Sequence, residues 1–137
     1  MWKWFALGSA FFAALQGILG KIGVQGVPSN LATAIRTVVV LVLAWGLVFA
    51  RHENSEISTL SRSTWTFLIL SGVATGLSWL CYYRAIHDGP LKSVSALDKL
   101  SLPLTIVLAA LFLKEKWTVD TSIGVALVTA GTYYLPK

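Results

Sequence analysis

Apolar and polar positions are segregated into long blocks along this chain. Five apolar blocks, Trp4–Gly23, Leu31–Ala50, Trp65–Ile86, Val94–Leu113 and Val119–Leu135, are separated by short polar runs. A helix rises about 1.5 Å per residue, so about 20 apolar residues cross the roughly 30 Å hydrocarbon core of a bilayer. Each block is near that length. The pattern predicts an all-α integral membrane protein with five transmembrane helices. The turns leave no room for a soluble domain, so residues 1–137 read as a single transmembrane domain.

The polar runs supply the breaks. Gly23, Gly26 and Pro28 stop the first helix, and Ser29 or Asn30 is placed to cap the second. The longest polar run, from Arg51 onward, reaches Ser63, a candidate cap for the third helix. His87-Asp88-Gly89-Pro90 is a turn signature. Thr118 is a candidate N-cap of the fifth helix, where Asp120 then meets the positive end of the helix dipole. Trp2, Trp4, Trp65, Trp117, Tyr133 and Tyr134 lie at block ends, as interfacial aromatic anchors do.

Composition narrows the function classes. Only 12% of residues are charged, about half the usual share of a soluble domain. The net charge is +5, but the basic residues sit singly in turns beside apolar helices. Lipid headgroups are their expected partner, and nucleic acid is not. Lys3 ahead of an apolar run has the look of a signal peptide; four similar blocks follow, so the first is expected to be a retained span. Cys81 is the single cysteine, expected as a buried thiol in the third span. His52 and His87 are isolated, with no metal-ligand spacing, no Ser/His/Asp set and no phosphate-binding glycine loop. Neither a metal, a cofactor nor an enzyme activity is expected.

Polar residues inside the spans carry the candidate chemistry. In the second span Thr33, Arg36 and Thr37 share one face near one end. In the fourth, Ser95, Asp98, Ser101 and Thr105 recur every three or four residues, with Lys99 beside them. The third has a stripe of Ser71, Thr75, Ser78 and Tyr82, flanked by Trp79 and Tyr83. The first offers Gln16, and Lys21 and Arg84 lie toward the same end as Arg36 and Asp98. Asp98 and Arg36 have matching depths, and a charge at depth needs a partner or a watery cavity. They are either a structural ion pair or part of a hydrated site with one protonatable carboxylate. Pro103 cannot donate to the carbonyl of Lys99, so a free acceptor and a broken helix are expected there, a feature common at transporter binding sites.

Small residues mark packing faces. Gly72 and Gly76 form a GxxxG motif, and Ser122, Ala126 and Ala130 form a four-residue ladder expected at a dimer interface. An odd number of spans places the termini on opposite sides. Lys3, Arg51, Arg62, Lys114 and Lys116 fall on one side; Lys21, Arg36, Arg84, Lys92, Lys99 and Lys137 fall on the other. A bias of one charge leaves orientation almost unset by the positive-inside rule. Either local context fixes a single topology or the chain inserts both ways.

The run YYRAIHDGPLKSVSALDKLSLPLTIVLAALFLKEKWTVDTSIGVALVTAGTYYL resembles an EamA-type repeat of the drug/metabolite transporter superfamily. Ala85, Gly89, Pro103, Glu115, Gly124 and Gly131 carry the likeness, and Lys21 with the ATAIR segment ending at Arg36 extends it to the first half. The resemblance implies one five-span repeat of a ten-helix inverted-repeat architecture, in the bacterial and archaeal five-span branch. It implies a secondary transporter of small organic metabolites or drugs in the cell membrane. Two copies would make the transporter, working by alternating access with the path between them. The related small multidrug exporters use a first-helix Glu, where this chain has Gln16, so their proton coupling does not carry over. On this reading Asp98 is the titrating or cation-sensing group, with Arg36, Lys99, Ser101, Gln16, Trp79, Tyr82 and Arg84 as further substrate or ion contacts. A flippase for a lipid-linked substrate and a non-transporting scaffold subunit are the alternatives.

Overall fold

A computed structural model describes residues 1–136. Lys137, counted above among the basic residues, lies outside them. The described chain is helical: α1 (Trp2–Gly23), α2 (Ser29–Ala50), a 3₁₀ helix (Glu53–Thr59), α3 (Arg62–Asp88), α4 (Leu91–Asp98), α5 (Ser101–Phe112) and α6 (Val119–Tyr134). Among the described residues, four stretches are long and apolar enough to cross a bilayer: α1, α2, α3 and the α4–α5 pair, Leu91–Phe112. The 16 residues of α6 span about 24 Å, short of the hydrocarbon core. Large apolar side chains such as Phe12, Val42, Phe67 and Leu111 are exposed along the long helices. In water such a surface would drive association; against acyl chains it is the expected solvent-facing surface. Cys81 is exposed on α3, not buried as the sequence suggested.

The described residues form two compact units, one of Ile22–His87 and one of Met1–Lys21 together with the chain from Asp88 onward. In the first, α2 begins directly after Pro28, which occupies the cap position without any side-chain cap bond. Ser29 is thus already helical and buried, and neither it nor Asn30 caps the helix. The extended backbone of Pro28 suffices, because its carbonyl accepts from Ala32 N–H at 3.0 Å. The polar run after α2 is folded. His52 takes a left-handed conformation (φ 57°) just past the helix end, and the 3₁₀ helix that follows packs on α2. The cap of α3 is Ser61, whose hydroxyl accepts from Thr64 N–H at 3.1 Å. Ser63, the expected cap, is already inside the helix. Burial in this unit collects at the start of α2 (Ser29, Thr33) and the end of α3 (Tyr83, Ile86).

In the second unit, α6 packs on both α4 and α5. Ser93 Oγ donates to Pro136 O at 3.3 Å, tying the first turn of α4 to the end of α6. The Lys21 ammonium donates to Gly89 O at 2.9 Å, joining the end of α1 to the turn before α4. Thr118 caps α6 as the sequence predicts, accepting from Thr121 N–H at 3.2 Å, and Asp120 lies in the first turn. Thr121, Val125 and Val128 are half-buried, whereas Ser122, Ala126 and Ala130 lie on an exposed face of α6. The fourth apolar block, Val94–Leu113, is two helices, α4 and α5, parted at Lys99 and Leu100.

The turn after α5 hinges on Lys114, held at φ 55° while Glu115 N–H reaches back to Ala109 O at 3.4 Å. A left-handed backbone costs a side-chain-bearing residue about 1 kcal/mol or more. Lys114→Gly is expected to raise the unfolding midpoint in mild detergent, and Lys114→Val, β-branched at the same φ, to lower it by about 1 kcal/mol or more. Thermal unfolding of the two variants checks the sign of each.

Candidate functional site

Two places in the long helices gather the candidate residues. One is the face of α2 and α3 around Arg36. Arg36 is half-buried, and its guanidinium lies over the Trp79 ring, with Cζ 4.1 Å from the ring centroid. The Tyr83 ring centroid is 5.4 Å away. Trp79 and Tyr83 are one turn apart on α3, so both rings fall on one helix face. Tyr82, half-buried, meets Tyr83 edge-on at 6.2 Å. The rings offer their negative faces to the cation, an attraction worth about 0.5–2 kcal/mol and strongest where water is excluded. Arg36 Nη1 is buried and has no hydrogen-bond partner among the described residues.

The hydroxyls around Arg36 satisfy themselves along the backbone. Thr33 Oγ1 donates to Ser29 O at 2.9 Å and Thr37 Oγ1 to Thr33 O at 2.7 Å. Thr75 on α3 does the same with Ser71 O at 2.8 Å. Such back-bonding is how a hydroxyl lives in a helix without a partner from elsewhere. Part of the polar striping read from the sequence therefore reflects local satisfaction.

The second place is the junction of α4 and α5. Lys99 N–H bonds Ala96 O at 3.2 Å and Leu100 N–H bonds Leu97 O at 3.0 Å, both three residues back. Leu102 N–H then bonds Lys99 O at 3.1 Å. The Lys99 carbonyl, expected to be free beside Pro103, is thus satisfied. Tightening into a 3₁₀ turn brings the Leu102 donor into the place of the one Pro103 lacks. Pro103 itself lies in the first turn of α5, where a helix does not require its N–H. Asp98 ends α4 and Ser101 begins α5; residues three apart across a 3₁₀ turn nearly eclipse. Asp98, Lys99 and Ser101 are all exposed, whereas Pro103 is buried.

Beside this junction is a cavity of ≈ 330 Å³ between α5 and α6, with Pro103 and Ile106 on one wall and Gly124 and Val128 on the other. Glu115, Lys116 and Trp117 also line it. The Trp117 indole is fixed by a 2.7 Å hydrogen bond from Nε1 to Ser122 Oγ. Nothing in the sequence reading anticipated this cavity. The available signal was Gly124, a mid-helix glycine where an added Cβ would meet nothing within 4 Å.

The other candidates are dispersed. Gln16 is half-buried on α1 next to buried Gly17, and Arg84 is exposed on α3. Arg36 and Asp98 belong to different units, so their pairing is not a property of either unit alone. The role of Trp79 and Tyr83 as ring partners of Arg36 was not read from the sequence, although their four-residue spacing was visible there.

The model of the EamA-like transporter family matches residues 1–135. The chain belongs to the EamA-like transporter family. A Sinorhizobium protein described as an uncharacterized transporter in the cobO 3′ region is 43% identical over 134 residues, 98% of this chain and 95% of that protein. An uncharacterized protein of Methanocaldococcus jannaschii, MJ1333.1, is 28% identical over 89 residues, 65% of this chain and 64% of that protein. No solved structure matches the chain. EamA membership together with the long apolar helices makes this a multi-pass membrane protein with a transporter's role.

A double-mutant cycle tests the Arg36 arrangement. Trp79→Leu is expected to destabilise the parent by about 0.5–2 kcal/mol more than it destabilises an Arg36→Met background. Equilibrium unfolding in mixed micelles measures the four corners; strictly additive losses would leave the ring a packing role alone.

Proposed function

We propose that this chain is a secondary transporter of small organic molecules in the cell membrane, acting as a homodimer of five-helix halves by alternating access. The observation that carries the reading is the family match over residues 1–135, which leaves no part of the helical core outside the transporter family. The interrupted fourth span supports it. Non-helical backbone at membrane depth is tolerated where it is buried in protein or lines a cavity, and transporters place substrate and coupling-ion sites at such breaks. Here the break sets Asp98 and Ser101 at two helix ends, beside a cavity that reaches Pro103.

In this proposal α6 is the fifth span, made long enough by the residues that flank it. The exposed ladder of Ser122, Ala126 and Ala130 on α6 is the surface offered to the second copy. Gly72 and Gly76 on α3 support a second close-packing face, since an added Cβ at either meets nothing within 4 Å. Asp98 is the titrating or cation-sensing group, with Lys99 and Ser101 beside it at the break. Lipids contact the exposed apolar faces.

Asp98→Asn keeps the shape and removes the charge. The variant is expected to fold and self-associate normally and to lose or uncouple transport in proteoliposomes, measured against a metabolite panel. An unchanged rate with an unchanged pH dependence would remove Asp98 from the mechanism.

The two copies are proposed to insert in opposite directions. The near-equal split of basic residues supports this, and opposite insertion reproduces the inverted symmetry that alternating access uses. Adding two or three lysines after Lys137 is then expected to fix the C-terminus inside, and adding them beside Lys3 to fix the N-terminus inside. Each fixed form alone should lose transport, and co-expression should restore it. A C-terminal topology reporter read on both membrane faces, with transport, is the check; one orientation in the parent and full transport by a fixed form would exclude the antiparallel dimer.

A further inference from the structure

We infer that Arg36 is an oxyanion-recognition site, and that the molecule this protein binds there carries a carboxylate or phosphate on a flat apolar body. That this molecule is also the one carried across the membrane rests on the proposed transport; its binding at Arg36 does not. It starts from how the guanidinium is held. Trp79, at 4.1 Å, and Tyr83, at 5.4 Å, engage the cation through their ring faces. Ring contacts use the charge of a guanidinium and consume none of its five N–H donors. Nη1 is buried with no acceptor among the described residues. The nearest hydroxyls on the same face of α2 donate to their own backbone, Thr33 to Ser29 O and Thr37 to Thr33 O.

A buried donor without a partner costs free energy, and native chains rarely keep one without a use. The group that satisfies it best is an oxyanion. Charge-assisted bonds are about twice as strong as neutral ones, and the planar fork matches a carboxylate or phosphate with two parallel bonds. A cationic molecule would meet like charge at the same place. The aromatic residues complete the specificity: Trp79 and Tyr83 lie against the guanidinium, so the surface beside the fork is flat and apolar. The oxyanion can belong to a free solute or to a lipid headgroup, and the chemistry at Arg36 is the same.

The test uses the full chain in phosphatidylcholine nanodiscs and ligands that share one aromatic body. Indole-3-acetate and phenyl phosphate are the anionic probes; indole-3-acetamide and tryptamine are the neutral and cationic controls. Equilibrium dialysis is expected to show saturable binding of an anionic probe and about tenfold or more weaker binding of the controls. Arg36→Gln should weaken the anion by about tenfold or more and leave the controls unchanged, and Arg36→Lys should restore only part of the loss, since an ammonium lacks the fork. Nanodiscs doped with phosphatidylglycerol identify the source. Arg36-dependent retention of that lipid, with displacement of the soluble probes, assigns the anion to a headgroup.

The parent's preference among matched ligands is read without any variant, so a poorly folded Arg36→Gln does not block the test. Equal binding of tryptamine overturns the inference. So does anion binding that Arg36→Gln leaves intact, or the absence of Arg36-dependent binding of both probes and of phosphatidylglycerol. Counterflow in proteoliposomes separates the two readings. Flux of tryptamine but of no anion keeps the transporter and discards the oxyanion site; Arg36-dependent binding with no flux of any probe keeps the site and counts against transport.

Discussion

A peptide N–H or carbonyl in hydrocarbon has no water to bond, so every one must be satisfied inside the protein. Helices meet that demand residue by residue, which is why this chain is helical wherever it is apolar. Pro103 has no N–H to offer, and the chain answers by tightening. The donors of Lys99, Leu100 and Leu102 reach three residues back instead of four, the Lys99 carbonyl receives Leu102, and a new helix starts with Pro103 in its first turn. The carbonyl that Pro103 cannot serve is thus bonded. The effect of the break is to turn a uniform span into two helix ends facing one another in sequence. Asp98 closes α4, where its charge is unfavourable to the helix dipole, with Lys99 and Leu100 between it and the start of α5.

The same demand governs the side chains. Hydroxyls within the spans mostly solve it alone: Thr33, Thr37, Thr75 and Thr129 each donate to the carbonyl four residues back. Cations cannot. Lys21 reaches the Gly89 carbonyl in the turn before Pro90, while Arg36 lies on the rings of Trp79 and Tyr83. These are different solutions with different consequences. A lysine on a turn carbonyl fixes two segments together. A guanidinium held by ring faces keeps its in-plane donors, and Arg36 Nη1 has no acceptor among the described residues.

Two glycine patterns that look alike in sequence also part company in the structure. Gly17 and Gly20 on α1 are buried and serve packing. Gly124 on α6 borders a cavity, and Gly72 and Gly76 border open space. A helical glycine costs about 0.5–1 kcal/mol relative to alanine, and at Gly72, Gly76 and Gly124 an added Cβ would meet nothing within 4 Å.

Much of this architecture was legible from the residues, because membrane thickness and backbone satisfaction act on composition alone. The ends of the first and second spans at Gly23 and Ala50, the start of α6 at Val119 and its Thr118 cap follow from block length and local capping chemistry. Pro103 announced a break by covalent structure. Other features were settled only by the folded chain. Ser61 and not Ser63 caps α3, and Pro28 displaces both Ser29 and Asn30, because cap choice depends on where the preceding backbone turns. The repair of the Lys99 carbonyl needed the 3₁₀ turn. The rings beneath Arg36 and the cavity beside Pro103 come from residues distant in sequence, brought together by helix packing. A periodic pattern tells which face of a helix is polar; it does not tell what that face meets.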